Sequence, residues 1–325
     1  MAGIRDVARR ANVSISTASL VLNNNGYVSQ ETRMRVIQAM EELQYVPNEL
    51  ARNLYRNRTN IVGIILPDIS HPFFGSFAKY AEIELYKKGY KTMLCSTFRE
   101  ENGEKEFIDM LKRQMVDGII MGAHSLATEV YEGVEKPIVS LDRYINEKIP
   151  IVMSDHAKGG FLAAQELLEG GCKSVVQLTG DRIVNTPSHE RHVVFERTMR
   201  EQGAAVHSFQ IQWNKWDFEV FEDMTQDVFR KFPQMDGIFG ADLFAVIALR
   251  EAMKRGIKVP EQLKIVAYDG MPITHMGMLN ITAVRQNVEK LAQTSVKLLV
   301  NQINGKALRK KQYILDLELV RGETT

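Results

Sequence analysis

The residues with the clearest chemical meaning are eight arginines within the first 60 residues, where only five acidic residues oppose them. No lysine precedes Lys79, although the whole chain has a formal net charge of only +1. Such a local excess is typical of a module that meets phosphate, because a guanidinium group binds two phosphate oxygens at once. On charge alone, a solvated surface is the alternative. The arginines are Arg5, Arg9, Arg10, Arg33, Arg35, Arg52, Arg56 and Arg58.

Short side chains with hydroxyl groups follow the first arginines and indicate where DNA would be read. Ser14 is a good N-cap for a helix over residues 15–22, because its hydroxyl can accept a backbone N–H that the helix leaves unpaired. The preceding helix is marked by apolar residues at helical spacing: Ile4, Val7, Ala8 and Ala11. Two short helices joined by so tight a turn predict a helix-turn-helix unit. The side chains expected to face bases or phosphates are Ile15, Ser16, Thr17 and Ser19, with Ala18, Val21 and Leu22 facing the core.

A third helix completes the predicted unit. Residues 23–26 form a strong turn signal, and Ser29 is the expected cap of the helix that follows. Its predicted buried stripe is Val36, Ile37, Met40 and Leu43. Three helices on so few residues form a small core, which suggests that DNA or a partner chain supplies part of the order. A small helical unit without a nucleic-acid function is the alternative at this stage.

Many short motifs, in the right order, resemble the lactose-repressor (LacI/GalR) family. They lie at residues 4–8, 13–19, 21–23, 28–29, 32–33, 45–48, 64–74, 116–120, 268–270 and 284–286, with Ala51 and Leu54. The resemblance covers essentially the whole chain. Within the family, residues 81–91, 142–143 and 149–155 look closest to the sucrose-operon repressors of low-GC Gram-positive bacteria. The resemblance implies a DNA-binding headpiece at 1–46, a hinge helix and linker at 47–60, and an effector-binding and dimerisation core at 61–325.

The resemblance also implies how the hinge acts. Pro47 ends the third helix and Asn48 can cap a short hinge helix, which is marginal in water by itself. Two such helices would pair over the operator and push Leu54 into the minor groove, at a cost recovered from the bent duplex. A buried core position is the alternative for Leu54. The candidate DNA-binding residues are Ser14, Ile15, Ser16, Thr17, Ser19, Leu20, Asn23, Tyr27, Ser29, Thr32, Asn48, Ala51 and Leu54.

Three positions depart from the family pattern. Leu20 replaces an arginine of many members, and leucine can touch a thymine methyl but cannot bind guanine through two hydrogen bonds. Gly3 replaces a threonine cap, so the first helix begins without that hydroxyl. Ala241-Asp242 replaces a pair with one more polar group.

From residue 61 onward, short apolar runs alternate with helical patterns, which predicts α/β structure with parallel sheets and helices on both faces. Strands are predicted at 61–66, 91–96, 118–121, 138–141, 151–154, 174–179, 208–211, 237–240 and 264–268, with a further strand-like run at 313–319. Helices are predicted at 75–88, 104–115, 158–169, 189–201, 219–230, 242–255 and 288–303. The length allows two lobes resembling the periplasmic sugar-binding fold, where a ligand lies at the carboxyl ends of the strands.

Polar and aromatic residues at those strand ends are the candidates for an effector site. His71, Phe73 and Phe74 follow the first strand, and a sugar ring stacks on aromatic faces, although core packing is the usual role of phenylalanine. Asp142 and Asp269 follow the fourth and ninth strands, where a carboxylate can accept from sugar hydroxyls or cap the next helix.

Four further effector candidates complete this set. The resemblance gives Arg191 the role of binding two sugar hydroxyls through its fork of donors, with an exposed salt bridge as the alternative. It gives Gln286 a sugar contact and places Asp242 beside the pocket. Trp213 and Trp216 are the only tryptophans, and Trp216 is the predicted cleft wall.

Composition excludes several functions. The sequence shows no secretory signal, and its longest apolar run is too short to span a bilayer. Cys95 and Cys172 are expected to be reduced thiols in a cytoplasm, and the seven histidines form no metal-like cluster. No phosphate loop or nucleophile motif indicates an enzyme, and no cofactor is expected. Without a leucine heptad tail, we expect a homodimer rather than a tetramer.

The sequence therefore predicts a dimeric repressor that binds operator DNA and is released by a sugar or sugar phosphate. Sucrose, its phosphate or a fructosyl sugar is the effector implied by the resemblance. A regulator that uses a serine-phosphorylated phosphocarrier protein as corepressor is the first alternative. A cytoplasmic sugar-binding protein without DNA function is the second, and it would keep its function after loss of residues 1–58.

Overall fold

The computed structural model describes residues 2–23, 26–46, 58–97, 103–123, 128–183, 185–211, 218–308 and 310–325. The chain divides into two compact units, Met1–Thr59 and Asn60–Thr325.

The first unit is helical, and its helices follow the sequence signals. α1 spans Ile4–Arg10, α2 spans Ile15–Leu22 and α3 spans Gln30–Glu42. Its core is made by small or β-branched residues, which lets short helices approach closely: Val7, Ala8, Ala11, Ala18, Val21, Val36 and Ala39. The predicted stripe of α3 is wrong at one position. Ile37 is 45% exposed, and Ala39 is buried in its place.

Side-chain caps fix the ends of these helices. Ser14 Oγ accepts the Thr17 N–H at 3.0 Å, and Ser29 Oγ accepts the Thr32 N–H at 3.3 Å. At α1, where no hydroxyl is available, the Asp6 carboxylate accepts the N–H of Gly3 at 2.9 Å. Between α1 and α2, Asn12 adopts a φ of 52°, a left-handed conformation that asparagine tolerates, so the chain turns within four residues.

The second unit contains two six-stranded sheets, as predicted for a two-lobed α/β core. The first lobe has the order β11-β5-β4-β3-β1-β2, and the second has β12-β10-β9-β8-β6-β7. The first-sheet strands are β1 (Ile61–Leu66), β2 (Lys91–Ser96), β3 (Gly118–Met121), β4 (Ile138–Leu141), β5 (Ile151–Ser154) and β11 (Gln312–Leu315). The second-sheet strands are β6 (Ser174–Thr179), β7 (Ala205–Gln210), β8 (Gly237–Ala241), β9 (Lys264–Asp269), β10 (Thr282–Gln286) and β12 (Leu317–Val320).

Helices cover both faces of each sheet, because the central strands are apolar on both sides. On the first lobe these are α4 (Pro72–Lys87), α5 (Gly103–Lys112) and α10 (Val288–Ile303). On the second lobe they are α6 (His156–Glu169), α7 (Glu190–Glu201), α8 (Phe218–Lys231) and α9 (Asp242–Lys254). No helix among the described residues is both long and apolar enough to cross a membrane.

Two strand predictions need correction. The short run Thr282–Gln286, with only two consecutive aliphatic residues, was not predicted, yet it forms β10 beside β9. The predicted strand at 313–319 is two strands: β11 pairs in the first sheet and β12 pairs with β10 in the second, antiparallel to it. Asp316 separates them, so the chain crosses between the lobes within one residue.

The chain crosses between the lobes at three places in all, and each crossing lies at the carboxyl end of a strand. The first follows Ser154 of β5, the second follows Gln286 of β10, and the third is Asp316. Asp155 and Asn287 cap the helices that begin just after the first two crossings. Strand ends of both lobes therefore meet at one region of the second unit.

Candidate functional site

The start of α2 presents small polar side chains to solvent. Ser16 is exposed, and its Oγ lies 2.8 Å from the Oγ of Ser14; Thr17 Oγ1 lies at the same distance. Beside them, Ile15 is 49% exposed and Leu20 is 38% exposed. These predicted DNA-contacting residues therefore share an accessible surface that a groove floor could approach.

The remaining headpiece candidates divide between capping and surface positions. Ser29 and Thr32 form the cap of α3, and Asn23 Nδ2 donates to the Ser19 carbonyl at 2.9 Å at the end of α2. Tyr27 is 95% exposed and is the most accessible aromatic residue of the described headpiece. Asn48, Ala51 and Leu54, the predicted hinge contacts, lie outside the described residues.

In the second unit, a chain of hydrogen-bonded polar groups joins the two lobes. Asp142, which follows β4, accepts a hydrogen bond at Oδ1 from Nε2 of His156 at 2.7 Å. Nδ1 of the same imidazole lies 2.7 Å from the Tyr268 hydroxyl in the second lobe. Thr186 of the second lobe also donates to the Asp142 carbonyl at 2.7 Å. The predicted effector residue Asp142 is therefore a point where the lobes touch.

Arg191 lies beside this chain in the first turn of α7. Its guanidinium carbon is 4.3 Å from the centre of the Tyr268 ring, a cation–π contact. Its Nε–H donates to Nε2 of His192 at 3.1 Å, and the His192 Nδ1 lies 3.1 Å from the Oε1 of Gln177. Since Nε2 accepts, Nδ1 carries the proton. Burial, reinforced by the charge of Arg191, holds the pKa of His192 well below its ordinary value, so the ring stays neutral.

A second polar chain crosses between the lobes a few residues away. Ser154 Oγ, at the end of β5, donates to the Gln286 Oε1 at 2.6 Å, and the Gln286 Nε2 donates to the Asp269 Oδ1 at 2.8 Å. All three side chains are buried. Burial raises the pKa of Asp269, while the charge of Arg191 opposes that shift. The structure thus brings together two predicted effector residues, Asp269 and Gln286, and links them to the opposite lobe.

Asp242 has a different setting from the other candidates. Its two carboxylate oxygens accept the N–H groups of Gly270 and Met271 at 3.0 and 2.6 Å, and the side chain is buried. Burial raises the pKa of Asp242 well above its ordinary value, with repulsion from Asp269 as the second cause. In this structure the carboxylate holds the turn after β9, and so fixes where Asp269 lies.

The aromatic candidates of the first lobe are packed rather than open. Phe73 and Phe74 are 6% and 8% exposed, meet edge to face at 5.3 Å, and belong to the apolar core beneath β1 and β4. His71 lies 5.4 Å from the ring of Phe74, and burial lowers its pKa. A sugar contact by these residues remains a prediction. Trp216 lies outside the described residues.

A buried ion pair supports the segment that carries Asp142. Arg143 Nη1 donates to both carboxylate oxygens of Glu104, at 2.7 and 2.8 Å, and both side chains are only 2% exposed. The Tyr131 hydroxyl donates to the same carboxylate at 2.5 Å, and Arg143 also donates to the Ala123 carbonyl at 2.9 Å. Asp142 itself has a φ of 53°, a conformation that must be held by its surroundings.

Sequence reasoning did not assign roles to His156, Tyr268, His192 and Ser154. Tyr268 directly precedes Asp269 at the end of β9, and His156 directly follows Asp155, the N-cap of α6. The position of each residue beside a recognisable strand end or helix cap could have drawn attention to it. The contacts between His156 and Tyr268 and between Ser154 and Gln286 each span more than 100 positions, however, and no local signal reveals them. Among the described residues, no three His, Cys, Asp or Glu side chains are grouped so that they could hold a metal ion.

A helix-turn-helix unit followed by a two-lobed α/β core with a polar interlobe cluster defines the class of ligand-controlled DNA-binding regulators. Two family models match the chain: bacterial regulatory proteins of the lacI family at residues 3–48, and periplasmic binding proteins and sugar binding domain of LacI family at residues 59–315. The chain therefore belongs to the lacI family of bacterial regulatory proteins, and it is a regulator rather than an enzyme.

Relatives match this chain along nearly the whole of both sequences. The chain is 38% identical to a ribose operon repressor of Halalkalibacterium halodurans, over 100% of this chain and 97% of the relative. It is 36% identical to a sucrose operon repressor of Pediococcus pentosaceus, over 99% and 98%. A crystal structure of the Lac repressor dimer bound to operator and the anti-inducer ONPF has the same fold, with a TM-score of 0.86 at 22% identity over 99% of this chain and 98% of that one.

Proposed function

We propose that this protein is a homodimeric cytoplasmic repressor of a sugar-utilisation operon, released from its operator by a small carbohydrate bound between the lobes. The single observation that carries this proposal is the polar cluster that Asp142, Asp269 and Gln286 form at strand ends of both lobes, with Arg191 of α7 beside them. Carboxylates and an amide accept and donate to paired hydroxyls, and a guanidinium offers a fork of donors.

The relatives' names support a sugar as the effector. Relatives named for sucrose and for ribose operons are 36% and 38% identical to this chain, and a solved LacI-type regulator from Alkaliphilus metalliredigens, 27% identical with a TM-score of 0.74 over 82% of this chain and 99% of that one, is complexed with D-xylulofuranose. Our proposed effector is sucrose, its phosphate or a fructosyl sugar, and ribose is the competing effector that the test must include.

Each segment of the chain has its own proposed role. Residues 1–46 read the operator, the hinge at 47–60 transmits the signal, and residues 61–325 bind the effector and dimerise. Ordering of two hinge helices over the operator, with Leu54 as a wedge, would make operator affinity sensitive to the lobe arrangement. Coupling of this kind is reciprocal, so the operator must weaken effector binding by the factor by which the effector weakens operator binding.

The test is a titration of operator affinity. An operator is selected from random duplexes with the full chain, and its binding is followed by fluorescence anisotropy at several salt concentrations with sucrose, sucrose phosphate, fructose or D-ribose. We expect a salt-sensitive, sequence-specific complex that one of these sugars weakens. Absence of any sequence preference overturns the DNA function, and an affinity unchanged by every sugar overturns direct sugar induction.

A phosphorylated phosphocarrier protein is the partner to be excluded. The full chain is immobilised and exposed to phosphocarrier protein phosphorylated on serine, with the unphosphorylated form as control. We expect no difference between the two forms. Selective capture of the phosphorylated form, together with tighter operator binding in its presence, would replace sugar induction by a corepressor mechanism.

A further inference from the structure

His156 lies at the first crossing between the lobes. It is the first residue of α6 and follows β5 of the first sheet by two positions, while α6 packs against the core of the second lobe. Its side chain is 1% exposed. A polar ring with two nitrogens is costly to bury unless both nitrogens are hydrogen-bonded, so the partners of this imidazole matter.

Both nitrogens of the His156 ring are used, and each faces a different lobe. An ionised carboxylate only accepts hydrogen bonds, so Nε2 carries a hydrogen and donates a hydrogen bond to Asp142 Oδ1 across 2.7 Å. The other nitrogen, Nδ1, is hydrogen-bonded to the Tyr268 hydroxyl, also across 2.7 Å. One imidazole therefore holds a carboxylate of the first lobe and a phenol of the second.

The Tyr268 ring connects His156 to Arg191, the predicted effector-binding arginine. That ring lies beneath the guanidinium group of Arg191, with 4.3 Å between the guanidinium carbon and the ring centre. It also stacks on the imidazole, with ring centres 5.9 Å apart and planes 26° apart. The position of the imidazole therefore fixes the separation between the Asp142 carboxylate and the Arg191 guanidinium.

The start of α6 leaves the imidazole little freedom to move. A Cβ added at Gly159 would lie 2.7 Å from the Tyr268 hydroxyl, and one added at Gly160 would lie 2.0 Å from the Arg191 carbonyl oxygen. The helix that carries His156 is thus pressed against both Tyr268 and the backbone of Arg191, which only glycine permits. Backbone packing and side-chain contacts therefore both fix the relative positions of His156, Tyr268 and Arg191.

We propose that His156 is a positioning residue of the effector site, which sets Asp142 and Arg191 at a fixed spacing across the two lobes. This inference rests on the proposed sugar-responsive function and names the group that prepares the site for it. A buried histidine with a purely structural role is the competing explanation. It would stabilise α6 but would leave the two effector side chains where they are.

Two substitutions separate the two hydrogen bonds of the ring. In His156→Gln the amide nitrogen can take the place of Nε2 and still donate to Asp142, whereas in His156→Asn the side chain is too short to reach that carboxylate but can still meet Tyr268. Thr225→Val is the matched control, because it removes a different buried hydrogen-bonding group, the hydroxyl that donates to the Phe221 carbonyl in α8, away from the site.

The first measurement needs no ligand. Amide hydrogen exchange of the full chain is compared for the wild type and each variant, and we expect His156→Asn to accelerate exchange in peptides that contain residues 140–146 and 188–194, in opposite lobes. His156→Gln should retain protection at 140–146. Acceleration confined to α6, or equal acceleration in Thr225→Val, overturns the positioning role.

The second measurement is sugar binding by calorimetry, with sucrose and D-ribose as the probes. We expect His156→Asn to weaken binding of whichever sugar the wild type binds by about tenfold to a hundredfold, the loss of one charge-assisted hydrogen bond, with His156→Gln closer to wild type. Unchanged affinity in His156→Asn overturns the proposal. If neither sugar binds the wild type, sucrose and D-ribose both fail as effectors, and the exchange experiment still decides the role of His156.

Discussion

The guanidinium group of Arg191 is held from two sides, by the Tyr268 ring below it and by the His192 Nε2, which accepts its Nε–H at 3.1 Å. These contacts occupy one face and one of the five N–H donors of the group. The terminal amino groups are thereby oriented before any ligand arrives. Pre-organisation of this kind lowers the entropic cost of binding, which makes Arg191 a strong candidate for the residue that recognises the effector.

Arg191→Ala should abolish the response to sugar while operator binding in the absence of sugar stays unchanged. The charged donors to the sugar are lost, which costs about 1.5–3 kcal/mol of binding free energy. Operator affinity with and without sucrose or D-ribose checks this by fluorescence anisotropy. Arg197→Ala is the control, since Arg197 is an exposed arginine on the same helix. A normal sugar response in Arg191→Ala would show that the effector binds elsewhere.

The buried His192 should make stability depend on pH in a defined direction. Burial and the charge of Arg191 lower the pKa of His192 in the folded protein below the ordinary value of 6.5. At a pH below 6.5, the unfolded chain therefore binds a proton at His192 that the folded chain does not bind. The contribution of His192 to the free energy of unfolding is therefore fully present above pH 6.5, and it decreases as the pH falls below that value. The limiting slope for one proton is about 1.4 kcal/mol per pH unit.

His192→Gln should flatten this dependence. Urea unfolding of both proteins between about pH 7.5 and 5.5 gives two slopes, and their difference isolates His192 because other groups are common to both. His71, whose pKa is also lowered by burial, remains in both proteins and keeps a residual slope of the same sign. Identical slopes in the two proteins would mean that His192 is protonated in the folded state.

The ion pair between Glu104 and Arg143 should be costly to break. Glu104→Ala leaves a buried guanidinium without its carboxylate, and we expect a loss of about 3–5 kcal/mol in the free energy of unfolding. Urea unfolding measures this loss. Asp227→Ala is the control, because it removes the partner of the exposed Arg230 and should cost no more than about 1 kcal/mol. Equal losses in the two variants would contradict the buried pair's structural role.

Removal of the hydroxyl in Ser16→Ala should weaken operator binding without unfolding the headpiece. Ser16 is exposed, while the cap of α2 depends on Ser14, so the helix should survive the change. If the hydroxyl contacts a base, the loss is about 1–3 kcal/mol of binding free energy. Anisotropy measures the binding, and circular dichroism checks the fold. Ser14→Ala is the comparison, because it should lower headpiece stability by about 1 kcal/mol.

The identity of residue 20 should alter which operator is preferred. Leu20 is 38% exposed on α2, where it can contact a thymine methyl but offers no hydrogen-bond donor from its side chain. Leu20→Arg should shift selection from random duplexes towards guanine at one position in each half-site, by about 1–3 kcal/mol. Wild-type and variant selections that yield the same consensus would mean that residue 20 does not face a base.

The sequence by itself determined the local elements of this protein. The α2 boundaries, the Ser14 and Ser29 caps, strands such as Ile61–Leu66 and the helix Val288–Ile303 all follow from periodicity and from side chains that bond within a few residues. Even there, the apolar pattern of α3 predicts a buried Ile37, whereas the structure buries Ala39 and leaves Ile37 exposed. Neighbouring positions on a short helix compete for the same narrow apolar face.

Only the tertiary structure decided how the site is assembled. The split of residues 313–319 between two sheets depends on which strand each half pairs with, and that pairing involves β5 and β10, far away in the chain. His156 meets Tyr268 across 112 positions, and Ser154 meets Gln286 across 132. Local propensity does not predict such partners. These pairs form because polar groups that become buried where the two lobes meet must be hydrogen-bonded to each other, whatever their separation in the sequence.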